Sequence, residues 1–346
     1  MEFNLFPYII SVVSFIVIAF SFIPLASSLG LVDSPSDRKK HEGDIPILGG
    51  IGIFVSFCIG LFFTNINFID HQYIFLTLFI ITIIGVFDDI WDLSARVKLL
   101  FHILAISIFL KQPYLISSLG GIFGPIDIAL LPLTYLFTVF AIIGAMNAVN
   151  MSDGVDGLAS LNSLIVFLII SVISFNSDKE FIFVISSVFA SSTLAFLLFN
   201  LKILGEKNKI FLGDCGTTQI GFVICLLLIL LSQGDNPSIR PVTALWIMAL
   251  PLIDTIAIIL RRIRKKRSPF SADREHLHHF FMSLGFSDRK TLFTVTLLSI
   301  ALISIGLLME INDVSSPVSF ISFVIVFSIY SYLLSHSWKL LKVLKG

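Results

Sequence analysis

Four polar clusters interrupt a chain that is otherwise strongly apolar, and their residue types suit the handling of charge. The first is the acid pair Asp88 and Asp89 in "TIIGVFDDIWD", with Asp92 close behind. The second, "NAVNMSDGVDGL", gathers Asn147, Asn150, Ser152, Asp153 and Asp156 around two glycines. The third is "FLGDCGTTQIGF", where Asp214 follows Gly213 at the start of an apolar run. The fourth is "SPFSADREHLHHFF", which carries His276, His278 and His279 just after the basic run "RRIRKKR" from Arg261 to Arg267. Carboxylate and carboxamide oxygens hold hard divalent cations. Arginine, histidine and the free N–H groups at a helix start bind phosphate. Carboxylates, a basic loop, histidines and helix starts together suit a Mg²⁺-dependent phosphoryl-type reaction.

Each cluster also has an ordinary structural reading. Asp156 and Asp214 each precede an apolar run and could simply cap helices. Asp88 and Asp89 end one instead, where the helix dipole disfavours each carboxylate by about 0.3–1 kcal/mol, so a bound cation explains them better than a solvated turn. The stretch from Pro269 to Gly285 reads as an amphipathic helix with Leu277, Phe280, Phe281 and Leu284 on one face and the three histidines off that stripe. A zinc site is disfavoured there, since no cysteine or H-E-x-x-H pattern supports it. Asp254 lies inside an apolar run and is either functional or paired with Arg261 or Arg262. "GGIG" at Gly49 to Gly52 reads as close helix packing.

The elements that must position these clusters are membrane spans. Of 346 residues, 56% are hydrophobic and 13% charged, about half the charge of a soluble domain. Mean hydropathy is +0.98. Eleven apolar segments stand out, at 4–28, 47–64, 72–88, 97–111, 128–147, 158–175, 181–199, 214–232, 241–260, 291–310 and 317–336. The expected fold is therefore all-α, a polytopic membrane protein of about eleven transmembrane helices in a single catalytic domain, 1–346. All but Lys111, Lys179 and Arg240 of the 23 lysines and arginines fall in alternate connections, which places the N-terminus outside and the C-terminus in the cytoplasm. The cytoplasmic loops are then 29–46, 88–97, 148–157, 200–213 and 261–290, and all four polar clusters land on them or at their edges.

Composition narrows the function classes further. Zero net charge and the lack of a basic arm argue against nucleic acid as a partner. Three cysteines in or beside apolar runs build no disulfide framework. A transporter or flippase would spread acids through the membrane depth or over both faces, whereas here only Asp254 sits clearly within a span. The one-sided polar chemistry fits an enzyme with a cytoplasmic substrate, and the many spans suggest a lipid as the second one.

From "DRKKHEGDIPILGG" through "FDD", "NAVNMSDGVDGL" and "FLGDCGT" to "SPFSADREHLHH", the chain resembles the polyprenyl-phosphate N-acetylhexosamine-1-phosphate transferases over nearly its whole length. The histidine pattern "HLHH", rather than three in a row, is similar to the branch that uses UDP-N-acetylglucosamine instead of UDP-muramoyl-pentapeptide. "GDCGT" departs slightly from the usual GDAGS. The resemblance implies a multi-pass enzyme of the bacterial inner membrane, dependent on Mg²⁺ with Mn²⁺ as a substitute, and leaves a homodimer open. Its substrates would be a UDP-N-acetylhexosamine and undecaprenyl phosphate, and its product would start a lipid-linked surface polysaccharide of O-antigen or common-antigen type.

The same resemblance assigns roles. Asp214 and Asp89 would bind metal, and Asp88, Asp89 and Asp156 would serve catalysis. Asn150, Asp153, Asp156, Asn200 and Phe211 would form the nucleotide pocket, with Phe211 under the uracil. Arg262, His276, His278 and His279 would face the diphosphate and sugar, joined by Lys39 and His41.

Overall fold

The computed structural model describes residues 4–34, 43–124, 126–268 and 275–345, with side chains as far as residue 336. Lys39 and His41 lie outside the described residues. Among the described residues, thirteen α-helices account for nearly all regular structure. They are α1 (Phe6–Phe22), α2 (Gly49–Phe62), α3 (Gln72–Trp91), α4 (Ala95–Phe109), α5 (Thr134–Ser152), α6 (Leu158–Asn176), α7 (Glu180–Asn200), α8 (Gly213–Ser232), α9 (Pro241–Ile247), α10 (Ala249–Arg264), α11 (Leu277–Ser283), α12 (Asp288–Ile311) and α13 (Ser316–Lys345). Each of the eleven apolar segments coincides with a helix, or with the α9–α10 pair. Among the described residues, eight helices are long and apolar enough to cross a membrane, and a ninth span is formed if α9 and α10 count as one. At 14 and 15 residues, α2 and α4 fall short of the roughly 20 residues a perpendicular crossing needs.

α9 and α10 meet at an angle of 83°. The cause is Pro251, which lacks the N–H that would bond to the carbonyl of Ile247 and whose ring collides with that carbonyl in a continuous helix. Met248 takes up the turn.

The packing is centred on α8, whose apolar window is 94% buried, against 17% for α1 and for α13. Glycines let its neighbours approach closely. A Cβ on Gly50 of α2 would lie 2.3 Å from the Gly216 nitrogen, and one on Gly85 of α3 would lie 2.3 Å from the Cys215 Cα. The "GGIG" stretch is thus a packing surface. A second, smaller apolar cluster joins α9 to α13, including Trp246, Leu250, Ile253, Leu277 and Phe323, to Val155 and Leu158 at the start of α6.

Extended chain ties the edge of the bundle together. β1 (Val32–Asp33) pairs antiparallel with β2 (Ile45–Pro46). The segment after β2 then runs beside residues 211–212: Phe211 donates to the Pro46 carbonyl at 2.8 Å, and Gly49 and Gly50 donate back to Phe211 and Leu212 at 2.9 Å each. This fixes the chain leading into α8.

Candidate active site

The C-terminal ends of α3 and α5 meet the N-terminal end of α8. Asp89, in the last turn of α3, accepts the N–H of Asp214 at 2.7 Å with one oxygen and that of Cys215 at 3.2 Å with the other. These are first-turn donors that have no partner within α8. Asp214 is therefore not the cap of its own helix, as the sequence allowed; a carboxylate from another helix takes that place.

Asp88 points to the other side. It is 5% exposed, accepts the N–H of Leu93 at 2.9 Å, and forms an ion pair with Lys98 of α4. The same Lys98 Nζ lies 3.0 Å from Asp214 Oδ2. Asn150, near the end of α5, donates to Asp214 Oδ1 and lies 2.8 Å from the Thr217 hydroxyl. One compact cluster results, with Asp88 and Asp214 on the Lys98 ammonium and Asn150 bracing the far oxygen of Asp214.

The donor chemistry fits a hard divalent cation. Asp88 and Asp214 face one cationic position, marked by Lys98. Among the described residues, no group of three His, Cys, Asp or Glu side chains forms a ready chelate. Mg²⁺ characteristically takes one or two carboxylates and completes its shell with water and substrate phosphate, so a two-carboxylate set suits it. Asp214 is among the residues expected to hold metal. Asp89, also expected to hold metal, accepts one backbone N–H on each oxygen and stands directly against the start of α8.

The "DGVDG" loop lies between this cluster and the histidines. The cap position of α6 is Gly157, at φ +80° and with no side-chain cap, so Asp156 does not cap that helix. Instead Asp156 pairs with Lys209 at 2.6 Å, and Lys209 Nζ also sits 4.7 Å from the centre of the Phe211 ring. Asp153 is exposed beside them. Asn200 is buried and donates to the Ile210 carbonyl at 2.8 Å, bracing the chain that carries Phe211. A Cβ on Gly154 would fall 1.9 Å from His278 Nε2, so the loop and the imidazole are in direct contact.

The histidine segment departs from its expected form. Among the described residues its helix is only α11, seven residues long, and His276 is its extended cap residue. The helical spacing that put the histidines off the apolar face therefore does not hold at His276. His276 and His278 are buried, at 6% and 4% exposure, and their rings stack 5.6 Å apart. Burial, with His279 and His276 nearby, pushes the His278 pKa down to about 2, so that ring is neutral. Arg262 is buried, while Arg261 and Lys265 pair with Glu275 at 3.0 and 2.8 Å. Asp254 contacts His276 at 2.9 Å, a partner the sequence did not suggest.

Lys98, Thr217 and Lys209 are the site residues the sequence reading missed. In the sequence, Lys98 and Lys209 mark only the sidedness of their loops. The available signal was a lysine placed in the first turn of an apolar helix directly after an acid pair.

The sequence model of glycosyl transferase family 4 matches residues 71–232, the stretch that supplies the Asp88, Asn150 and Asp214 cluster. The chain is 36% identical over 324 residues to the undecaprenyl-phosphate alpha-N-acetylglucosaminyl 1-phosphate transferase of Escherichia coli (strain K12), covering 93% of this chain and 88% of that one. It is 39% identical over 323 residues to the protein of the same name from Haemophilus influenzae, covering 92% and 90%. Against the Salmonella typhi protein of that name it is 36% identical over 324 residues, covering 93% and 88%. A helical membrane bundle with its acids gathered at the helix ends, and relatives matched across nearly their full length, agree: the chain belongs to glycosyl transferase family 4 and is an enzyme of the phosphoglycosyltransferase kind.

Proposed function

We propose that the enzyme transfers N-acetylglucosamine 1-phosphate from UDP-N-acetylglucosamine to undecaprenyl phosphate, yielding undecaprenyl-diphospho-N-acetylglucosamine and UMP. The reaction depends on Mg²⁺ and takes place at the cytoplasmic face of the bacterial inner membrane. In this reading eleven helices cross, with the N-terminus outside and the C-terminus inside. The product begins a lipid-linked surface polysaccharide. The names of the relatives support undecaprenyl phosphate as acceptor and N-acetylglucosamine 1-phosphate as the group moved, and the shared cationic position of Asp88, Asp214 and Lys98 carries the chemistry.

In the proposed reaction a lipid-phosphate oxygen attacks the β-phosphorus of the nucleotide sugar. One P–O bond forms there, and the bond from that phosphorus to the oxygen bridging the α-phosphate breaks. UMP leaves with that oxygen and its electron pair. The second pKa of a phosphate monoester is near 6, so the attacking phosphate is already dianionic at neutral pH and needs no base. The obstacle is then repulsion between anions. Lys98 supplies one fixed positive charge, and Mg²⁺, held by Asp88 and Asp214 when bound, would neutralise more of the diphosphate charge. Asn150 holds Asp214 in place, while Asp156, Lys209 and Phe211 line the side where the nucleotide would lie.

The test is transfer of label from sugar-labelled UDP-N-acetylglucosamine into lipid by washed membranes. Entry into lipid that EDTA abolishes and excess UMP reverses is expected. If another UDP-sugar is used and this one is not, the substrate assignment fails. If none is used, the transferase reading fails with it.

A further inference from the structure

One buried carboxylate has no part in the scheme above. Asp254 sits on α10 beyond the helix break and is 7% exposed. Its Oδ2 lies 2.9 Å from His276 Nδ1, and its Oδ1 accepts the Leu277 N–H at 3.3 Å and the Tyr330 hydroxyl at 2.5 Å. Three elements thus meet on one carboxylate: α10, the start of α11, and α13.

Anchoring alone does not explain a carboxylate here. A well-packed apolar residue would hold α11 as firmly, without the desolvation cost of a buried charge. What a carboxylate adds is control of the ring. It takes the Nδ1 proton, which fixes the tautomer and orientation and leaves Nε2 as the working atom. Among the described residues, His276 Nε2 makes no hydrogen bond. The ring lies nearly parallel to that of His278, at 7°, and His278 in turn touches Gly154 of the "DGVDG" loop.

We propose that Asp254 and Tyr330 are positioning residues for His276, setting its tautomer and angle so that Nε2 is presented to the substrate diphosphate. The proposal rests on the reading that this site transfers sugar phosphate from a nucleotide diphosphate sugar. Through Tyr330, it also makes the last helix of the chain part of the active-site support.

The test uses the full-length protein with Asp254→Asn, Tyr330→Phe and His276→Ala, alone and combined. Asp254→Asn is expected to lower kcat by about 10–100-fold, the usual cost of losing the partner that orients a working histidine, with little change in KM. Tyr330→Phe should give a smaller loss in the same direction. In the His276→Ala background neither should cost more, because they act through that ring. Nitrogen-15 histidine spectra of the purified protein should show the Nδ1–H tautomer at His276 in the parent and its loss in Asp254→Asn. Independent, multiplying losses would overturn the proposal, as would an unchanged tautomer. So would a fall in folded protein with unaltered turnover per folded molecule. If the parent transfers no sugar phosphate, the functional reading fails, while the tautomer measurement still decides the positioning role.

Discussion

Gly85→Ala tests whether the active site depends on close approach of α3 to α8. The added Cβ would lie 2.3 Å from the Cys215 Cα and 2.8 Å from its nitrogen, both backbone atoms that no rotamer change can move. Ordinary carbon contacts are about 3.5–4.0 Å, so the two helices must separate locally by roughly 1.2 Å. Asp89 lies one turn further along α3 and holds the Asp214 N–H at 2.7 Å. The same displacement would stretch that bond to roughly 3.9 Å, beyond hydrogen-bonding range. Overpacking costs about 1–3 kcal/mol, and each lost bond to a charged acceptor about 1.5–3 kcal/mol. With two such bonds, the low ends already sum to about 4 kcal/mol. A displacement of this size at catalytic groups typically costs about 100-fold in rate. Gly144→Ala on α5 is the control, since its Cβ meets nothing within 4 Å. It should be neutral or stabilising by about 0.5–1 kcal/mol. Transfer rate and thermal unfolding would be measured for both in membranes of equal protein content. If Gly85→Ala behaved like Gly144→Ala in both assays, the argument from close packing would be refuted.

Three further outcomes follow from the charges at the site. Lys98→Met should destabilise the protein in EDTA by about 1–3 kcal/mol, because it strands the buried Asp88 carboxylate while Lys98 and Asp214 are partly open to solvent. Added Mg²⁺ should recover much of that; an unfolding temperature equal to the parent's in EDTA would contradict the shared-cation reading. For His278, the folded pKa of about 2 lies below the unfolded value of about 6.5, so the unfolded chain takes up a proton first as pH falls. That histidine's contribution is intact above about pH 6.5 and declines below it. His278→Gln should therefore lose less stability than the parent between pH 7 and pH 4, and parallel curves would exclude a buried neutral ring. Asp88→Asn should keep measurable transfer at pH 9, where the lipid phosphate is fully ionised; complete loss there with unaltered metal binding would show that Asp88 acts as a base.

Much of this architecture was legible because lipid imposes a simple rule: long apolar runs must be helices. The four polar clusters were legible for the same reason, since such residues stand out against an apolar background. What was hidden were pairings across the chain. Lys98 looks like a membrane-edge lysine until α4 packs beside α3. Asp156 looks like a cap until Lys209 proves to be its partner. The bend between α9 and α10 had a visible cause in Pro251, but the apolar run continues unbroken through it and hides the change of direction. A helical period does not describe His276, whose backbone is extended. Its conformation is tied to Asp254, 22 residues away in sequence.

The acids at the end of α3 looked unfavourable because they stand at the negative end of a helix dipole. The neighbour of that helix end is the positive end of α8, running the opposite way. Asp89 fills the unpaired donors there, which turns the unfavourable position into a helix-to-helix clamp. Asp214, in the first turn of α8, is favoured by the same dipole. Two acids of the three are thereby placed by helix ends alone. Asp88 faces no helix start; it accepts the single Leu93 N–H, and it is the one that takes Lys98. The division of labour follows from geometry: one carboxylate is committed to holding the helices together, and the other two share a cation. A reaction that brings two phosphate-bearing substrates together needs such a cationic position held on a rigid frame, and antiparallel helix ends provide both.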